Sequence, residues 1–133
     1  MSLVTRPAPD FTKPAILPNG SFEDNYNLHS HIRDKYAVLF FYPLDFTFVC
    51  PSEIIAHSHR AKEFQQRNVE VIGISVDSQF THHAWRNTPI TQGGIGPIDL
   101  TLVADLGGEI MTAYGVNLPN HIALRGSFLI DRK

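Results

Sequence analysis

The chain has very little thiol chemistry: Cys50 is its one cysteine in 133 residues. An internal disulfide framework is thereby excluded. So is a Cys-x-x-Cys redox pair, because Glu53 stands three residues on. Any disulfide has to be made with another molecule. Long apolar runs are missing as well. The longest, Ala37 to Tyr42, is of strand length and far short of a membrane span. Charge of one sign is also scarce: a net charge of −2 and a pI near 6.4 give no electrostatic footprint for nucleic acid or an anionic membrane. The opening residues, Met1 to Pro7, lack the charged-then-apolar pattern of a secretory signal, which points to the cytoplasm. The length suits one domain, residues 1–133. Hydrophobic and charged contents of 43% and 18% suit an ordinary globular core.

What is present alternates between strands and helices. Residues 1–20 are proline-rich and close on Pro18-Asn19-Gly20, a turn signal. Val38 to Tyr42 is a continuous apolar run, the signature of a strand buried on both faces, and Pro43 ends it. Ile54, Ile55, Ala61 and Phe64 mix with charge between Pro51 and Asn68, as on an amphipathic helix. Val69 to Val76 reads as a second buried strand, Gln79 to Asn87 as a short helix stopped by Thr88-Pro89. Gly93 to Pro97 cannot be regular. Leu100 to Ala104 follows as a third strand, Glu109 to Tyr114 as a helix closed by Gly115, and Gly126 to Asp131 as a last strand. Such strand–helix–strand units imply an α/β protein with a largely parallel sheet covered on both faces. Asp131-Arg132-Lys133 reads as the start of a turn with nothing to return to. The pattern therefore describes a domain that is incomplete at its C-terminal end.

Cys50 falls where the first buried strand gives way to a helix. A thiol is a nucleophile only as thiolate, and the positive end of a helix favours that form. Thr47, three residues earlier, can cap the helix start and hydrogen-bond a sulfur in its first turn. A lone cysteine is otherwise best read as a small buried hydrophobe. Here the placement favours a reactive thiol.

Pro43, Thr47 and Cys50 form Pro-x-x-x-Thr-x-x-Cys, within Phe-Phe-Tyr-Pro-Leu-Asp-Phe-Thr-Phe-Val-Cys-Pro-Ser-Glu. This string resembles the active-site motif of the peroxiredoxins, in their typical two-cysteine branch with the bacterial alkyl hydroperoxide reductase C subunits. Ala8-Pro9-Asp10-Phe11, the stretch from Ser75 to Trp85 and Arg125-Gly126-Ser127-Phe128 to Asp131 agree in the same order. The resemblance implies a thioredoxin-like fold with an N-terminal extension. Its central mixed sheet is flanked by helices, and the family's C-terminal strand and helix are missing here.

It also implies a mechanism. The Cys50 thiolate attacks one oxygen of hydrogen peroxide or an organic hydroperoxide, and water or an alcohol leaves. Arg125 matches the family's active-site arginine, which stays charged and offers several donors to sulfur and oxygen. Thr47 aligns the peroxide, and Pro43 shields the pocket and fixes the backbone. Glu53 is a supporting residue, either an ordinary acid favoured at a helix start or a link to Arg125. The chemistry requires neither metal nor organic cofactor. The thiol pKa is expected below the free value of about 8.5.

Typical members resolve the sulfenic acid with a second cysteine in a C-terminal Val-Cys-Pro segment, which this sequence does not include. For the full-length protein the resemblance implies a thioredoxin-type or flavoprotein disulfide reductase as electron donor. It also implies a homodimer assembling into a decamer. The alternative function is a redox sensor or chaperone-like assembly that uses the same cysteine without efficient turnover.

Seven histidines invite a metal reading. His57 and His59, two apart, point to nearly opposite sides of a helix, and the neighbours His82 and His83 diverge too. No cysteine or carboxylate spacing completes a zinc set. Gly93 to Gly96 lacks the lysine of a phosphate loop. Trp85 is by residue type a core candidate, but the resemblance places its stretch, with Phe80 and Thr81, near the surface where dimers meet. An interface role is the expectation there.

Overall fold

The computed structural model describes residues 6–45, 50–92, 94–96, 98, 100–118, 122 and 126–131, with the backbone alone for residues 50–53, 61 and 62. Six strands form one sheet: β1 (Thr12–Ile16), β2 (Phe22–Asn27), β3 (Tyr36–Phe41), β4 (Val69–Ser75), β5 (Thr101–Ala104) and β6 (Gly126–Ile130). Their spatial order is β2-β1-β5-β4-β3-β6. The helices are α1 (Leu28–His31), α2 (Cys50–His59), α3 (Ala61–Gln66), α4 (Gln79–Arg86) and α5 (Glu109–Ala113).

The expectation of a largely parallel sheet needs correction. Only β3–β4 and β4–β5 run parallel, whereas β1–β2, β1–β5 and β3–β6 are antiparallel. The sheet is mixed, as the resemblance implied. Two strands went unread, β1 inside the proline-rich opening and β2 just after it. β1 contains Pro14, which has no N–H to give a ladder, and the register with β2 shifts between Lys13 and Ala15 to accommodate it. Pairing with β5 then begins only at Ala15. β2 is an edge strand of mostly polar residues, so no apolar run announces it. The helix expected from Pro51 to Asn68 is also two helices, α2 and α3, interrupted at Arg60.

Alternation along the strands builds two cores, one on each face of the sheet. Ala37, Leu39 and Phe41 of β3 join Ile72, Ile74 and Val103 on one face, under Leu28 of α1 and Ile110 and Met111 of α5. Phe40 and Tyr42 join Val71 and Leu102 on the other, under Ile54 of α2 and Trp85 of α4. Gly73 makes room on that second face: a Cβ there would lie 2.9 Å from the Phe40 ring and 3.0 Å from Leu102. Each fully buried aliphatic or aromatic side chain contributes about 1.5–3 kcal/mol. Trp85 belongs to this second core, fully buried within its own chain, which corrects the interface role expected for it. Phe80 on the same helix is 67% exposed and Thr81 is half-buried.

The helix starts follow ordinary capping chemistry. Asn27 and Ser78 accept from the backbone N–H of Ser30 and Thr81 at the starts of α1 and α4. The buried Asp105 carboxylate accepts from the Ile110 and Met111 amides, 3.1 and 2.9 Å away, in α5. Gly115, with φ +74°, supplies the left-handed residue after α5. Among the described residues no helix is long and apolar enough to cross a membrane.

Candidate active site

β3 is the central positioning element, paired with β4 on one side and β6 on the other. Its ladder reaches one residue past the strand, because the Tyr42 amide donates to the Ile74 carbonyl at 3.1 Å. The chain then bends at the half-buried Pro43, where the ring removes a donor and fixes φ. Asp45 follows, buried, and Cys50 is the first residue of α2. Pro43 and Cys50 thus flank the connection from strand end to helix start, where the first N–H groups of a helix are unsatisfied and favour an anion. Glu53 lies in the first turn of α2, described by its backbone. Thr47 and Arg125 lie outside the described residues.

The connection is held by a buried polar group that the residue pattern did not reveal. The Tyr42 hydroxyl donates to Asp45 Oδ1 at 2.7 Å, and His82 Nδ1 lies 2.6 Å from Asp45 Oδ2. His82 comes from α4 and is fully buried, and its Nε2 donates to the Val103 carbonyl at 2.9 Å. A carbonyl only accepts, so Nε2 must carry a proton. The short contact at Nδ1 then needs one further proton shared with the Asp45 carboxylate. Burial pushes the Asp45 carboxyl above the usual range, while the hydrogen bond and charge of His82 pull it back. The Tyr42 phenol is held well above its ordinary value by burial and then by the Asp45 charge. It therefore acts as a neutral donor.

The backbone of Asp45 is fixed separately. Its amide donates to Asp77 Oδ2 at 2.7 Å, and the Ser75 hydroxyl donates to the same oxygen at 2.8 Å. Sequence reasoning passed over Asp45 and Asp77 and weighed His82 only as a metal candidate. One signal was available: His82, Trp85 and Arg86 are three and four residues apart, so they share the buried side of α4. A histidine on that side had to find buried partners. Among the described residues no group of three or more histidines, cysteines and carboxylates is placed to hold a metal ion.

Of the loop expected at Gly93 to Pro97, Gly94 to Gly96 are described. They hang on the C-terminal end of α4 and the residues just after it through amide bonds to the carbonyls of Pro89, Trp85 and Thr88. A Cβ on Gly94 would collide with the Thr88 carbonyl oxygen, so this close approach requires glycine.

Comparison with known proteins agrees with this architecture. Residues 4–133 match the AhpC/TSA family. The chain is 50% identical over 133 residues to alkyl hydroperoxide reductase C of Buchnera aphidicola, covering 99% of this chain and 67% of that protein. It is 54% identical over 133 residues to peroxiredoxin-1 of Gallus gallus, covering 99% of this chain and 66% of that protein. The reduced 2-Cys peroxiredoxin of Plasmodium vivax superposes with a TM-score of 0.94 at 46% identity, over 99% of this chain and 68% of that one. The chain thus spans about two thirds of the length of the curated relatives it matches. Family match, identity and superposition agree: the chain belongs to the AhpC/TSA family, among its two-cysteine peroxiredoxins, and has their thioredoxin-like fold.

Proposed function

We propose that this chain, a single peroxiredoxin domain, carries out the peroxide-reducing step of a thiol peroxidase, with Cys50 as nucleophile. The thiolate sulfur attacks one oxygen of hydrogen peroxide or an alkyl hydroperoxide. An S–O bond forms as the O–O bond breaks, and the sulfur loses two electrons to the peroxide. The departing oxygen takes up a proton and leaves as water or an alcohol, and Cys50 is left as the sulfenate. Preorganised donors aimed at the developing charge are the catalytic device. Arg125 and Thr47 supply them in this reading, Pro43 keeps water out, and Glu53 supports Arg125.

The observation that carries the reading is the position of Cys50 as first residue of α2, directly after the β3 connection. That is a helix end able to favour a thiolate. Within these 133 residues there is no second cysteine, so the sulfenic acid is reduced by an external thiol or proceeds to sulfinic acid. A thioredoxin-type or flavoprotein disulfide reductase is the expected donor to the whole protein, in the cytoplasm. Assembly is expected as homodimers that build a decamer. A Plasmodium yoelii relative modified at its N-terminus forms an artifactual octamer.

The test is the second-order rate at which Cys50 is oxidised by hydrogen peroxide, followed by stopped-flow fluorescence of the one tryptophan, Trp85. The expected rate exceeds that of free cysteine by orders of magnitude, and Cys50→Ser consumes no peroxide. A rate no greater than that of free cysteine refutes the reading.

A further inference from the structure

We propose that Asp77 is a positioning residue for Cys50, acting through the backbone of Asp45; this rests on Cys50 being the reacting thiol. Beyond Phe41, the connection toward α2 is tied to the end of β4 at two points. One is the Tyr42 amide on the Ile74 carbonyl, which continues the ladder. The other is the Asp45 amide on Asp77 Oδ2 at 2.7 Å, where a side chain replaces the strand carbonyl.

Asp77 is itself braced. The Ser75 hydroxyl donates to the same Oδ2 at 2.8 Å, and the Asp77 amide donates back to Ser75 Oγ at 3.3 Å. Serine and aspartate therefore orient each other at the strand end, and one carboxylate oxygen receives both donors. With Tyr42 and His82 on its two carboxylate oxygens, Asp45 is bonded through its amide and through both side-chain oxygens. Asp45 stands five positions before Cys50, so its backbone sets the point from which the chain runs on to α2. Misplacement of a reacting group by about 1 Å can cost roughly 100-fold in rate. Tyr42 and His82 fix the Asp45 side chain, whereas only Asp77 among the described partners fixes its backbone.

Three proteins test this: the unmodified chain, Asp77→Ala and Asp77→Asn. Each is measured for the second-order rate of oxidation by hydrogen peroxide and for the midpoint of Cys50 thiolate absorbance against pH. Asp77→Ala removes both acceptances. It is expected to slow oxidation by roughly 10- to 100-fold and to raise the thiolate midpoint. Asp77→Asn still offers one carbonyl oxygen to both donors and is expected to recover the rate to within about threefold. Should Asp77→Ala fail to fold, exchange of the Asp45 amide in the unmodified chain decides. It is expected to be strongly protected, and exchange at the rate of an unstructured amide overturns the proposal. The proposal is also overturned if Asp77→Ala melts lower yet keeps the unmodified rate and thiolate midpoint. A slow unmodified chain is a different result: it removes the peroxidase reading itself, and this inference with it.

Discussion

The two faces of the sheet solve the same problem with different chemistry. The face under α1 and α5 is filled by aliphatic and aromatic side chains: Ala37, Leu39, Phe41, Ile72, Ile74 and Val103 with Ile110 and Met111 above them. The face under α2 and α4 starts the same way, with Phe40, Val71, Leu102 and Trp85, but ends in Tyr42, Asp45 and His82 where β3 runs on toward α2. Apolar packing is tolerant, since volume and pattern suffice to hold a fold together. A buried polar cluster is intolerant, because each missing partner leaves a desolvated group. The difference teaches where accuracy matters. Among the described residues, the buried Tyr42–Asp45–His82 cluster stands where β3 runs on toward α2, whereas the face under α1 and α5 is held mainly by hydrophobic burial, with Asp105 capping α5.

Alkaline titration should break both faces together. Tyr26 and Tyr114 on the apolar face are pushed up by burial first, and then by the charges of Glu70 and Asp10 respectively. Tyr42 on the polar face is pushed up by burial and then by Asp45. All three folded phenols sit above their unfolded value of about 10. Their contribution to stability is therefore complete below that pH and is lost as pH rises above it. The expected result is that phenolate absorbance from these three, out of four tyrosines, appears only together with the loss of far-UV circular dichroism. Early ionisation of all four in a folded protein would contradict the burial of these rings.

Breaking the polar face alone is the next largest effect. His82→Leu takes the His82 partner from the buried Asp45 carboxylate, leaving it the Tyr42 hydroxyl, removes a donor from the Val103 carbonyl, and is expected to cost about 3–5 kcal/mol in urea unfolding at neutral pH. Adding Asp45→Asn to His82→Leu should recover part of the loss, because a neutral amide is cheaper to bury than an unpaired charge. A double variant at least as unstable as the single one would mean that the pair contributes shape and not charge.

On the apolar face, Leu39→Ala should cost about 2–5 kcal/mol, set by the cavity it leaves. The signature that separates the faces is kinetic. Leu39→Ala is expected to lower the denaturation midpoint while the folded protein oxidises at the unmodified rate. A comparable loss of rate would erase the distinction between the two faces.

The central strands were the more readable part of the sequence. The runs Ala37 to Tyr42 and Val69 to Ser75 announce buried strands because alternate residues enter a core on each face, and β3 and β4 pair in parallel from Tyr36–Val69 to Phe41–Ile74. The motif around Cys50 was equally plain, since Pro43, Thr47 and Cys50 are close in sequence. β1 and β2 were not readable: Pro14 breaks the strand pattern, and the edge position of β2 lets it stay polar. The partners of Asp45 were hidden for another reason. His82 and Asp77 are 37 and 32 residues away, and only the β3–β4 pairing and the seat of α4 bring them to the same corner. Trp85 shows the opposite failure, where resemblance suggested a surface and residue type alone had named the core.

The smallest effect concerns the seat of α4, which carries His82 into the polar corner. Ser78 starts the helix from extended backbone, with its hydroxyl accepting from the Thr81 amide at 3.1 Å and lying 3.1 Å from the Thr81 hydroxyl. Ser78→Ala leaves that amide without its side-chain partner and should cost about 1 kcal/mol, whereas Ser78→Gly should cost only a few tenths. Both substitutions remove the hydroxyl, so the gap between them measures backbone freedom and not the lost bond alone. Because α4 is also tied down by the burial of Trp85 and by the His82 bond to Val103, its position should hold while its first turn loosens. Amide exchange is then expected to quicken at Thr81 and stay unchanged at Trp85. Quickening along the whole helix would show that the cap, and not the buried side of α4, keeps His82 against Asp45.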